Sequence, residues 1–95
     1  MRTILIDCEG VTSASDFWQR YIDAANPQGA SLFGRNLDAF WDAIEHGGPG
    51  CPGKVRLVFA NSAGLAAVGV VSGSPLLDGL RRIADEATRM EIELA

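Results

Sequence analysis

Three short apolar runs, far apart along the chain, limit what it can fold into. They are Thr3-Ile4-Leu5-Ile6, Val55-Arg56-Leu57-Val58-Phe59 and Arg89-Met90-Glu91-Ile92-Glu93-Leu94. β-Branched content marks the first two as strands, and strict alternation marks the last as a strand with one buried face. The first run has no polar interruption after Thr3 and reads as a buried strand. Helical spacing fills the intervals. Strands separated by helices pair in parallel through right-handed crossovers. The expected fold is therefore α/β: a small three-stranded parallel sheet packed with three to four helices. The 95 residues form one domain, residues 1–95. A chain of this length buries roughly 60–65% of its unfolded surface, enough for one core.

The helices have readable ends. Ser13 or Ser15 caps the first, Asp16 lies in its first turn, and Asn26-Pro27-Gln28-Gly29 stops it. Phe17, Trp18, Tyr21 and Ala25 fall at helical spacing; aromatics so placed fill the core of a small domain rather than form a stacking platform. After the second strand, Asn61 or Ser62 caps a short alanine-rich helix through Leu65 to Val68, weakened by Gly64. Ser72-Gly73 is a break. Ser74 then caps a last helix with Pro75 at its first position, and Leu76, Leu77, Leu80, Ile83, Ala84 and Ala87 make its apolar stripe.

The stretch from Phe33 to Ile44 concentrates unusual chemistry. Gly34 suits a turn that needs an unusual backbone angle, and Asn36 suits a helix N-cap. Leu37, Phe40, Trp41 and Ile44 form one apolar stripe. Asp38, Asp42 and Glu45 fall within a wedge of about 60° beside it. Like charges at this spacing repel by about 0.2–0.5 kcal/mol. The helix dipole relieves only Asp38, and no lysine or arginine lies on the helix. A solvated face would explain each acid singly. A surface left unpaired for a partner's cations explains them together. His46 closes the helix where the dipole favours a cation, and reads as a terminal residue rather than a ligand or base.

Other classes are disfavoured. The formal net charge of −4 argues against direct nucleic-acid binding, whose footprint is basic. There is no long apolar run for a membrane span and no basic-then-apolar leader, so the expected location is the cytoplasm. Cys8 and Cys51 fit a reducing compartment. They would lie at opposite ends of neighbouring parallel strands, about 15 Å apart, too far to bridge. Gly48 and Gly53-Lys54 mimic a phosphate loop, but Val55 replaces the needed hydroxyl, two prolines remove amides, and a strand follows where a helix is required.

Phe33-Gly34-x-Asn36-Leu37-Asp38-Ala39-x-Trp41-Asp42-Ala43 closely resembles the signature of the barstar family, small intracellular inhibitors of bacterial ribonucleases. The resemblance extends thinly along nearly the whole chain. It implies a barstar-like fold and a protein that plugs the cationic active site of a barnase-type or other secreted or toxin ribonuclease. It also implies a monomer that forms a 1:1 complex with the nuclease, with no cofactor. By position, Asp42 would be the central carboxylate in the cleft and Asp38 would meet a second cation. Trp41 would be an anchor at the edge. Leu32, Phe33, Gly34 and Asn36 would shape the loop, and Leu37 belongs to the signature. Glu45 and His46 make the end of the helix more charged than the family pattern. Leu32 stands where the family has an aromatic, and Arg82 where its last helix offers an acid; Glu86, one turn on, can substitute. The glycine-rich segment 47–53 also departs. These differences point to a different cognate nuclease, or to a lost one. Two other readings remain open: a barstar-like module for another cationic protein or a non-ribonuclease toxin, and a metal-dependent enzyme using Asp38, Asp42 and Glu45 as oxygen ligands.

Overall fold

A computed structural model describes residues 2–69 and 73–95. Three strands, β1 (Arg2–Asp7), β2 (Val55–Ala60) and β3 (Glu91–Leu94), form one all-parallel sheet in the order β1-β2-β3. Three α-helices, α1 (Ala14–Ala25), α2 (Leu37–His46) and α3 (Leu76–Glu86), and two short 3₁₀ turns, Ala30–Leu32 and Ser62–Ala67, complete it. The α/β fold expected from the apolar runs is the fold observed.

The strand order explains which residues are buried. Right-handed crossovers that step the same way across a sheet leave their helices on one face. Ile4, Leu57 and Ile92 are in register, as are Ile6, Phe59 and Leu94, and these face the helices as core residues or packed against them. The opposite face carries Leu5, Val58 and Glu93 in register. Leu5 is 61% exposed. The expectation that the first strand is buried therefore holds only for alternate residues: β1 is an edge strand with one covered face. Val58, on the central strand, is only 8% exposed. Beside it Arg56 spans to Glu93 and, at 3.3 Å, to Glu91, so its aliphatic stem lies across that face.

The core is aromatic. Phe17, Trp18 and Tyr21 of α1 meet Phe33, Phe40 of α2 and Phe59 of β2, with ring centroids 4.7 to 6.5 Å apart. Most pairs are edge-on or tilted, the arrangements the ring quadrupole favours. Ser13 caps α1 by accepting from the Asp16 amide at 3.1 Å, and Asn26, in left-handed backbone, ends it.

Two expected ends differ. Pro75 itself occupies the N-cap of α3, in extended backbone, and Ser74 makes no capping bond. The Leu76 amide that a cap would have served donates instead to the Val68 carbonyl at 2.7 Å. Of the break at Ser72-Gly73, Ser72 lies outside the described residues. The alanine-rich segment is a 3₁₀ turn, and neither Asn61 nor Ser62 caps it. The Asn61 amide group donates to Asp7 Oδ1 at 2.9 Å, and Ser62 bonds the Ala95 carbonyl through both its amide and its hydroxyl. These ties to β1 and the last residue hold a six-residue segment in which Gly64 weakens a regular α-helix. β3 begins at Glu91 rather than Arg89.

Candidate functional site

One side chain joins helix α2 to the loop before it. Asn36 Oδ1 accepts from the Ala39 amide at 2.7 Å, the expected N-cap, while its Nδ2 donates to the Gly34 carbonyl at 3.2 Å. The same side chain thus closes the loop and starts the helix. Gly34 plays a different part from the one its type suggested. The left-handed residue is Arg35, at φ 51°, whose guanidinium donates to Gln19 Oε1 at 3.0 Å. Gly34 matters through close approach, since a Cβ there would lie 3.1 Å from the Ala39 Cβ. At the other end Gly47, in left-handed backbone at φ 71°, ends the helix, and the Gly48 amide donates to the Asp42 carbonyl at 3.2 Å.

Phe33 is buried against Trp18 and Tyr21 and holds the loop from beneath. Its neighbour Leu32 is 75% exposed. The segment 47–53 lies under the same ring. Gly50 backs onto Phe33, its amide donates to the Gln28 carbonyl at 3.0 Å, and its carbonyl accepts from the Tyr21 hydroxyl at 2.7 Å. Burial, chiefly, pushes the Tyr21 hydroxyl well above its ordinary pKa, so it stays a donor.

The acid wedge divides. Asp38 and Asp42 are exposed and, among the described residues, have no ion-pair partner. The Asp42 carboxylate lies against Gly48, where any side chain would collide with it. Glu45 is different: it accepts from the Thr88 hydroxyl and, at 2.9 Å, from the Thr88 amide. The Thr88 side chain first, and then its amide, hold the Glu45 pKa below the usual glutamate range. Glu45 thus ties α2 to the segment after α3, and the expectation of three unpaired acids becomes two. His46 is exposed, with its ring edge-on to Trp41 at 6.4 Å. Among the described residues no three His, Cys, Asp or Glu side chains are grouped to hold a metal ion, and the Glu45 carboxylate is engaged by Thr88.

Between α2 and α3 runs an open groove of 320 Å³. Leu37, half-buried Trp41 and Ile83 make its apolar floor, and Asp38, Arg82 and Glu86 its charged margin. Gly79 permits the approach of the two helices, because a side chain there would run into Leu37. Gly48, Gly79 and Thr88 were not legible as part of this region. A glycine in the middle of a helical stripe was the one signal, and it marks a close approach only once the neighbouring helix is placed.

The α/β domain presents two exposed carboxylates on α2 that have no ion-pair partner among the described residues, Asp38 on the groove and Asp42 against Gly48, an arrangement that suits a binding surface. A family model described as Barstar (barnase inhibitor) matches residues 1–95, and the chain belongs to that family. The family is one of inhibitors rather than enzymes. A comparison with curated proteins gave no match.

Proposed function

We propose that the protein is the cytoplasmic immunity partner of a barnase-type ribonuclease, binding it 1:1 and filling its active-site cleft with α2. The observation that carries this reading is the pair Asp38 and Asp42, exposed and, among the described residues, without an ion-pair partner, on a helix fastened at both ends. A ribonuclease cleft is cationic because it holds phosphates. Two carboxylates one helical turn apart occupy phosphate positions without the chain entropy of RNA. The caps of α2 hold them there in advance, so little order is lost on binding. Asp42 is the central anion, Asp38 the second, and Trp41 and Leu32 give apolar contact at the margins. Opposite charges across the interface also speed encounter.

The test is a titration of RNA cleavage by a barnase-type ribonuclease, and by any ribonuclease encoded beside this chain's gene, with the purified protein. Inhibition should saturate at one equivalent, weaken with salt and be lost in Asp42→Ala. An Asp42→Ala variant that inhibits like the wild type refutes this placement of the site. Stoichiometric binding to a different cationic toxin, without effect on RNA cleavage, supports the module reading instead.

A further inference from the structure

Arg82 is the one cation among the residues that line the α2–α3 groove. It is exposed on α3, with Asp78 one turn before it and Glu86 one turn after. Asp38 lies on the same groove from α2. None of the three is within ion-pair distance of it, whereas Arg20 is matched by Asp16 and Arg56 by Glu91, each at 3.3 Å. The guanidinium is therefore available to a partner. A uniformly basic nuclease surface laid over this groove would gain at Asp38 and Glu86 but meet repulsion at Arg82. An anion on the partner at that place turns the repulsion into a pair.

We infer that Arg82 determines which ribonuclease is inhibited, by pairing with a carboxylate on the rim of the partner's otherwise cationic cleft. This rests on the proposed function and adds to it the charge pattern of the partner: basic opposite Asp38 and Asp42, acidic opposite Arg82. Arginine suits the task, since its planar fork takes a carboxylate through two hydrogen bonds at once. The same contact rejects nucleases whose rim is basic there.

The test is a charge series at one position. Arg82→Lys, Arg82→Ala and Arg82→Glu are compared with the wild type against a barnase-type ribonuclease that the wild type inhibits, with Asp42→Ala alongside. Thermal unfolding of each variant should match the wild type, since the position is exposed. Arg82→Ala should weaken inhibition about fivefold and Arg82→Glu about thirtyfold, with Arg82→Lys between them and the wild type. The differences should shrink as salt is raised, which a purely structural role would not produce. Arg82→Glu inhibiting as well as the wild type or better, while Asp42→Ala fails, overturns the inference and leaves the inhibitor reading standing. Failure of the wild type to inhibit any ribonuclease of the barnase type overturns both.

Discussion

Replacing Gly50 by alanine probes how the site loop is held. Gly50 has φ 91°, in the region that L side chains avoid. A Cβ there would lie 2.6 Å from Phe33 Cδ1, 2.9 Å from Cγ and 3.1 Å from Cβ. Neither side can retreat cheaply. The Phe33 ring is backed by Trp18 at 5.6 Å and Tyr21 at 5.8 Å. The Gly50 backbone is held by the bonds to Gln28 and Tyr21. Left-handed backbone costs an alanine about 1–2 kcal/mol. Forcing a methyl into a packed site adds about 1–3 kcal/mol. The stiffer unfolded chain returns about 0.4–1 kcal/mol. The net loss is about 1–4.5 kcal/mol, set against the roughly 5–15 kcal/mol that a domain possesses. In a domain of this size each kcal/mol moves Tm by about 4–8 °C. Thermal unfolding followed by circular dichroism should therefore show Gly50→Ala melting about 4–35 °C lower. A change of less than about 3 °C refutes the packing argument as a whole. The two causes separate in a double-mutant cycle with Phe33→Leu. If the steric part is real, the cost of Gly50→Ala falls in the smaller background by about 0.5 kcal/mol or more. Equal cost in both backgrounds leaves only the backbone angle.

Two further perturbations have signed outcomes. The Glu45 carboxyl is held below its ordinary pKa by Thr88. Its contribution is therefore complete above the unfolded value of about 4.3 and is lost as pH falls through the depressed folded value. The stability gap between wild type and Glu45→Gln in urea should be constant from pH 7 to about pH 5.5 and close on further acidification. A gap of equal size at pH 3 would show that the Thr88 contact does not depend on charge. Asp7, also depressed, by Asn61 first and the Glu9 amide second, supplies acid sensitivity of the same sign in both proteins. The thiols offer a second check. Burial raises the pKa of Cys8 to about 11, while Cys51 is only half-buried. Since the thiolate is the reactive form, iodoacetamide at pH 8 should label Cys51 first, mapped by peptide mass. Equal rates at the two sites would mean that the region around Cys8 opens readily.

The layer structure was legible because periodicity is local. Alternation in Glu91-Ile92-Glu93-Leu94, and the spacing of Phe17, Trp18 and Tyr21, report which side of an element meets the core, whatever the core contains. Asn36 as N-cap was legible for the same reason, since its bonds reach only to Gly34 and Ala39. The errors fell where the deciding neighbour is distant in sequence. β1 looked buried because its composition carries no sign of strand order, and a 1-2-3 sheet leaves one face bare. Residue type points to Gly34 for the unusual backbone angle that Arg35 takes. Leu76 found its acceptor in Val68 rather than in a capping side chain.

The candidate site divides along the same line. The residues of Phe33 to Ile44 specify a capped amphipathic helix with a run of acids on one flank, because turns, caps and i, i+4 neighbours are short-range. Which acids remain unpaired was settled only when the chain closed. Folding brought Thr88 to Glu45 and placed Gly48 beneath Asp42, while Asp38 stayed open beside a groove that α3 completes. Charges on one helix can be counted from its sequence. Whether they are satisfied depends on groups contributed from elsewhere in the chain, here from as far as 43 residues away.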